Sequence, residues 1–170
     1  MQFKEEVAKR DADFKDTIYS FGEEEGEVYA LCRWLRARKF VLADVITMIE
    51  EATKVRADAK RMNFYPDPKD SLGCDAGLFF AQYPQLYTGF AKNGAPLFIS
   101  KPGVLNVDAV ECITTLEGIV KFHWYIMMHD FAQRLRAQKL KDPNFKRYVA
   151  CMFVVVGDIP QGFPNHPIPC

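Results

Sequence analysis

The sequence predicts a mixed α/β protein, with an N-terminal helical lobe followed by the first part of a mixed α/β domain. Three observations support this class. Apolar residues recur at helical spacing over about the first 65 residues, Asn93-Gly94 separates two short apolar stretches, and a valine-rich run follows a long amphipathic helix. We predict a helical lobe over 1–65, an α/β domain over 74–158 and a proline-rich tail over 159–170.

Two amphipathic helices form most of the predicted N-terminal lobe, preceded by the acidic stretch GEEEGE, which is typical of a helix entry. The first helix, Glu27 to Lys39, carries an apolar series at helical spacing: Val28, Leu31, Cys32 and Leu35. The second helix, Leu42 to Arg61, repeats the pattern with Val45, Met48, Ile49, Ala52 and Val55. The stretch Asn63 to Gly73 is rich in helix breakers and is the expected boundary between the two parts.

The second part begins with a predicted hairpin. The stretches Tyr87–Phe90 and Leu97–Ser100 flank an Asn-Gly pair, and Pro96 belongs at a strand start or on an edge, because it lacks an N–H. Thr114 and Glu117 fit a capping box that opens a long helix to about Leu140. Its predicted apolar stripe comprises Ile113, Leu116, Val120, Trp124, Met127, Phe131 and Leu135, widened by Ile119, Phe122 and Ile126.

A strand is predicted over Tyr148 to Val156. This run is continuously apolar, which is typical of a strand covered on both faces, and its position after a helix suggests a crossover within one sheet. The proline-rich segment beyond Gly157-Asp158 cannot continue a sheet.

Composition excludes several classes of function. Lys+Arg and Asp+Glu both number 22, so the chain lacks the basic surplus of a bulk nucleic-acid binder. No apolar run approaches the ~20 residues of a membrane span, and the charged N-terminus resembles no targeting peptide, so we expect a cytoplasmic protein. The five cysteines form no CxxC pair and are expected to be reduced thiols. We predict no metal site and no cofactor.

The chemistry-bearing residues do not predict an enzyme. His123 and His129 are six apart, so they do not share a helix face, and no nucleophile lies on a strand-to-helix elbow. Two features leave alternatives open. Arg33, Arg36, Arg38 and Lys39 suit either a solvated helix end or a site for anions or membranes. The Met-rich and aromatic segment at 124–131 fits either a core or the wall of a lipid cavity, and spacing alone favours the core.

Four segments resemble the CRAL-TRIO family. LCRWLRARKF (31–40) is similar to the helix that opens these proteins, and YPQLYTGFAKNGAPLFISKPGVLNVDAV (83–110) is similar to their hairpin. ITTLEGIVKFHWYIMMHDF lies where the family has its long helix, and YVACMFVVVGD resembles the strand that ends in its Asp-Leu-x-Gly motif. The resemblance is closest to the phosphatidylinositol-transfer branch. The family's Asp-x-x-Gly-Arg-Pro motif reads Ala91-Lys92-Asn93-Gly94-Ala95-Pro96 here, and Ala150–Phe153 carries no headgroup hydroxyl.

The resemblance implies a lipid-binding or lipid-transfer protein that holds a phospholipid or similar hydrophobic ligand without catalysing a reaction. We predict lipid contacts for Phe98, Trp124, Met127, Met128, Phe131 and Met152, and headgroup contacts for Arg33, Arg36, Arg38 and Lys39. The resemblance itself implies an anion-binding arginine only at Arg36 or Arg38. We expect transient membrane association, no nucleic-acid partner and a monomer when the protein is complete. The chain is expected to be truncated within the lipid domain. The alternatives are an interaction module that docks a small GTPase or a membrane surface, and a non-functional fragment.

Overall fold

The computed structural model describes residues 2–145 and 150–153, and for 150–153 it describes the backbone alone. The elements follow the predicted order of helices, hairpin, long helix and strand. The helices are α1 (Gln2–Ala8), α2 (Ala12–Ile18), α3 (Gly22–Glu25), α4 (Glu27–Ala37), α5 (Leu42–Arg61), α6 (Pro68–Leu72), α7 (Ala76–Gln82), α8 (Val107–Ile113), α9 (Leu116–Tyr125) and α10 (Ala132–Lys141). The strands are β1 (Gln85–Phe90), β2 (Pro96–Ser100) and β3 (Ala150–Phe153). The predicted mixed α/β class is confirmed.

Helices α1, α2, α4 and α5 pack around one apolar core in the N-terminal part. Its buried residues are Phe3, Val7, Phe14, Ile18, Ala30, Val45 and Ile49. The predicted apolar series is wrong at two positions, since Val28 and Val55 are exposed. Val28 lies in the first turn of α4 and Val55 in the C-terminal half of α5, on faces that the other helices leave uncovered.

The predicted linker at 63–73 contains more structure than its breakers indicated. Asn63, Phe64 and Tyr65 all adopt the left-handed region, with φ of 47°, 53° and 55°, which costs free energy in residues with side chains. Helix α6 then begins at Pro68, with the Asp67 side chain accepting N–H bonds at its N-terminus. Helix α7 was not predicted at all.

The predicted hairpin is confirmed. Strands β1 and β2 are antiparallel, with Tyr87 opposite Phe98, and a bulge lies between Tyr87 and Phe90. The connection turns at Gly94, whose φ is +81°. Pro96 is the first residue of β2, as its missing N–H requires.

Strand β3 runs parallel to β2 on the side opposite β1, so β2 is central. Its register pairs Leu97 with Ala150 and Ser100 with Phe153. This parallel pairing agrees with the predicted crossover. The flanks of the predicted strand, at 148–149 and 154–156, and the proline-rich tail at 159–170 lie outside the described residues.

The long predicted helix is present but differs in detail. It is continuous over 116–141, with a π-helical segment at Ile126–Phe131 between α9 and α10. The predicted capping box is wrong by one residue: Thr115 caps α9, while the Thr114 hydroxyl donates to the Leu72 carbonyl at 2.5 Å. The stripe is wrong at Leu116 and Val120, which are 78% and 46% exposed.

Residues of the N-terminal part contact the π-helical segment. His129 Nε2 lies 2.8 Å from the Asn63 carbonyl oxygen, and the buried guanidinium of Arg56 lies 3.7 Å from the Met128 sulfur. Arg56 and Lys60 both donate to Asp16. Burial alone raises the pKa of the Asp16 carboxyl, but the Lys60 hydrogen bond and the Arg56 charge outweigh it and leave the pKa below its ordinary value.

Candidate functional site

A cavity of about 150 Å³ lies between the β1–β2 hairpin and the long helix. Aromatic and aliphatic side chains supply most of its wall, from α7, both hairpin strands, α9 and the π-helical segment: Phe80, Leu86, Tyr87, Phe98, Phe122, Tyr125 and Ile126. An apolar concave surface of this kind suits an apolar group, because binding removes hydrocarbon from water on both sides.

Local sequence explains how α7 forms one wall. The Asp75 side chain accepts the Gly77 N–H at 2.8 Å and caps the helix. Phe79 then faces inward and is fully buried, while Phe80 turns toward the cavity. The Phe79 and Phe122 rings meet edge to face, with their centroids 5.6 Å apart, which fixes α7 against α9.

The hairpin register forms the opposite wall. Tyr87 and Phe98 are directly opposed on neighbouring strands, and their ring centroids are 4.9 Å apart. Such cross-strand aromatic pairs are mutually stabilising. The Tyr87 ring also stacks on Phe131 at 5.8 Å, so the sheet and the long helix are joined at the edge of the cavity.

The cavity wall includes one carboxylate. Asp130 lines the cavity and accepts a hydrogen bond from Arg134 Nε at 2.9 Å. The Arg134 guanidinium lies over the Tyr87 ring, 4.9 Å from its centroid. Because the two side chains carry opposite charges, the pair gives the site a polar group without a net charge.

The cavity is small and has an exposed rim. Its volume falls below the ~300–1,000 Å³ of typical ligand pockets. Phe80 and Leu86, at its edge, are both exposed. The described residues therefore enclose a few carbon groups, and a longer ligand would extend past these two side chains.

Of the six side chains predicted to contact lipid, Phe98 lines the cavity. Trp124 packs on Phe64, at 5.9 Å between ring centroids, and Met127 packs against the core around the buried Phe131. Met128 lies beside Arg56 and lines a second cavity, of about 220 Å³, on the side of the long helix that faces α2 and α3. Met152 is opposite Ile99 on the neighbouring strand, and its side chain is not described. The structure thus brings Phe98 to the cavity and separates it from the four helix residues.

The four predicted headgroup cations separate into two groups. Arg33 is bonded to the buried Glu25, at 2.5 Å from Nε to Oε1, and its side chain also lies over Trp34. Arg36, Arg38 and Lys39 are exposed at the end of α4. A second exposed feature accompanies them: the apolar side chain of Phe40.

Sequence reasoning missed several cavity residues. Phe122 and Ile126 were predicted to lie on the helix stripe but were not predicted as site residues. The pair Phe79-Phe80 of α7 was given no role. The usable signal was the apolar run Leu78-Phe79-Phe80 that begins three residues after Asp75, a residue type that favours helix N-termini. Near the cavity, burial and the neighbouring Asp75 charge raise the pKa of the Cys74 thiol, which makes it a poor nucleophile.

Over residues 2–145 and 150–153, His, Cys, Asp and Glu side chains do not gather in the groups of three that a metal ion needs. The helices in that same part of the chain are too short or too polar to cross a bilayer.

Curated proteins similar to this chain were found for part of its length. SEC14 cytosolic factor of Candida glabrata is 34% identical over 95 residues, which is 54% of this chain and 29% of that protein. Phosphatidylinositol/phosphatidylcholine transfer protein SFH9 of Arabidopsis thaliana is 25% identical over 115 residues, or 65% of this chain and 19% of that protein. SEC14 cytosolic factor of Kluyveromyces lactis is 31% identical over 114 residues, or 64% of this chain and 36% of that protein.

The similar segments therefore span about a third or less of each of these relatives. No protein-family profile matches the chain. The matches nevertheless agree with the motifs at 31–40 and 83–110 in pointing to one group of proteins. They confirm the predicted resemblance of this chain to the phosphatidylinositol-transfer branch of the CRAL-TRIO family.

Proposed function

We propose that this chain binds a phospholipid or similar hydrophobic molecule as part of a lipid-transfer protein that catalyses no reaction. The observation that carries the proposal is the aromatic cavity between the hairpin and the long helix. The names of the similar proteins support it, because one of them is a phosphatidylinositol/phosphatidylcholine transfer protein.

Burial of hydrocarbon supplies the affinity in this proposal. Each methylene removed from water contributes about 0.8 kcal/mol. A cavity of about 150 Å³ receives only part of an acyl chain. The remainder would lie against the exposed rim at Phe80 and Leu86, where it covers apolar surface that otherwise faces water.

The charged groups at the cavity suit binding rather than chemistry. Asp130 is held in an ion pair with Arg134 one turn along the helix, 2.9 Å from Oδ1 to Nε. A guanidinium cannot act as a general base at neutral pH. We therefore assign this pair to positioning the polar end of a ligand.

A second element of the proposal is contact with anionic headgroups through Arg36, Arg38 and Lys39. These three cations are exposed, whereas Arg33 is engaged by Glu25. Each basic group near an anionic surface contributes about 1 kcal/mol at low salt. We propose a cytoplasmic protein that associates transiently with membranes through such contacts.

Native mass spectrometry tests the lipid-binding proposal. The chain is incubated with phosphatidylcholine–phosphatidylinositol vesicles, separated from them by size exclusion, and sprayed from a volatile buffer. We expect one bound lipid per chain, saturating with vesicle concentration. A chain that emerges free of lipid at every concentration contradicts the proposal and favours the interaction-module alternative.

A further inference from the structure

The hairpin turn packs against the C-terminal end of α10 and forms a small surface far along the chain from the cations of α4. A Cβ added at Gly94 would lie 2.7 Å from Gln138 Nε2 and 3.4 Å from the Phe145 ring, so the two segments are in close contact. The Lys141 ammonium lies 5.6 Å from the centroid of the Phe90 ring. Lys92 follows Phe90 in the hairpin turn and Leu140 precedes Lys141 in the last turn of α10, and we call these four residues of the two adjoining segments the tip surface.

The tip surface combines exposed hydrocarbon with positive charge. Leu140 is 85% exposed and Phe90 is 52% exposed. Lys92 and Lys141 are exposed as well, and within the described residues neither forms an ion pair with a carboxylate. Asp142 is the acidic neighbour in sequence, and its carboxylate accepts the Asn144 N–H.

We propose that the tip surface docks on an anionic lipid bilayer, with Leu140 and Phe90 entering the headgroup region and the two lysines pairing with lipid phosphates or carboxylates. Exposed apolar side chains flanked by lysines are the pattern of interfacial membrane contacts. Lysine suits this position because its hydrocarbon stem can lie in the apolar layer while its ammonium stays at the headgroups.

The size of the surface favours a bilayer over a protein partner. Stable protein interfaces bury ~800 Å² on each side, far more than four side chains provide. A bilayer needs no matching shape, and two apolar anchors with two cations give weak, reversible contact. The inference rests on the proposed function only in that a lipid-exchanging protein must reach a membrane.

Vesicle sedimentation with the full chain tests the inference. We expect binding to phosphatidylserine–phosphatidylcholine vesicles that weakens with salt, and little binding to phosphatidylcholine alone. Lys92→Gln with Lys141→Gln should lower the affinity on the order of 20-fold, from about fivefold per lysine. Leu140→Ser should lower it about tenfold through lost apolar burial.

Matched variants separate this surface from others. Lys54→Gln with Lys69→Gln removes two exposed lysines elsewhere, and Leu116→Ser removes an equally exposed leucine; both should bind like wild type. Tip variants that bind like these controls overturn the inference, as does a loss confined to Arg36→Gln/Arg38→Gln. A dimer that Leu140→Ser dissociates would instead assign the surface to a second copy of the chain. Lipid loading, measured by native mass spectrometry, stays unchanged in the tip variants if only the docking surface is lost.

Discussion

Filling the cavity offers a sharper test of the proposed function than removing its wall. Ala76 lines the cavity at the first residue of α7, where leucine is also a good helix former. Ala76→Leu adds three carbon atoms toward a space of about 150 Å³. If that space is open, burial of the added carbons stabilises the fold by up to about 2 kcal/mol. If the space is already filled, overpacking costs about 1–3 kcal/mol.

The measurement pairs urea unfolding with native mass spectrometry on the same preparations. We expect Ala76→Leu to be at least as stable as wild type and to lose its bound lipid, because leucine occupies the space that the ligand needs. The control is Ala30→Leu, since Ala30 is buried in the N-terminal core and does not line this cavity. It should unfold more easily and, while folded, bind lipid normally. An Ala76→Leu variant that is as destabilised as the control, or that keeps its lipid, refutes the reasoning.

Three further predictions concern the hairpin turn, the ion pairs of Asp16 and the exposed cations of α4. Gly94→Ala and Gly89→Ala should each cost about 1–2 kcal/mol of unfolding free energy in urea melts, because both positions have left-handed backbone. The Gln138 amide that the added Cβ would meet at Gly94 ends a flexible side chain and can turn aside, so a much larger loss at Gly94 than at Gly89 contradicts this reasoning. Asp16→Asn should make the free energy of unfolding less dependent on pH in the acid range. The pKa of Asp16 is lowered in the folded protein, so its ionised carboxylate stabilises the fold above its ordinary pKa, and that stabilisation is lost as pH falls through the lowered pKa. Partial exposure of Asp16 keeps the effect small, and equal acid melts for both proteins contradict it. Arg36→Gln/Arg38→Gln should reduce sedimentation with phosphoinositide vesicles by about fivefold per residue at low salt; unchanged binding leaves these residues as ordinary helix-end charges.

The sequence was informative where a structural signal is local. The Asn-Gly turn with Pro96 behind it predicts the hairpin, because few backbone conformations satisfy both residues. The long helix follows from apolar spacing over more than 20 residues, which no strand could use. The parallel pairing of β3 follows from a continuous apolar run after a helix, since a crossover returns the chain in the same direction.

The sequence was less informative where position depends on packing between distant elements. Spacing placed Leu116 on the buried stripe, yet α9 begins there and no element covers it within the described residues. The capping position moved to Thr115 because the Thr114 hydroxyl is bonded to α6, a partner 42 residues away. The left-handed turn at 63–65 contains no glycine, so no local sequence signal predicts it.

The candidate site shows the same limit more clearly. An apolar stripe on a helix predicts that side chains are covered, but it does not say whether a neighbour fills the space or leaves it open. Phe131 and Ile126 lie on the same helix and are both buried, yet Phe131 packs among Phe21 and Leu135 without lining this cavity, and Ile126 does line it. The difference arises from the register of the hairpin against the helix, which neither segment encodes alone.

The π-helical segment contributes Ile126 and Asp130 to the cavity wall and also contacts the N-terminal part. A π turn carries one extra residue, which rotates the following side chains relative to an α-helix. On one side the segment is held by the N-terminal part, where His129 meets the Asn63 carbonyl oxygen at 2.8 Å. The His129 ring also stacks on Tyr125, at 5.9 Å between centroids, and Tyr125 lines the cavity. The contact between His129 and Asn63 therefore helps to position Tyr125 in the cavity wall. A ligand that displaces Tyr125 must also shift the His129 ring, which joins the two parts of the chain.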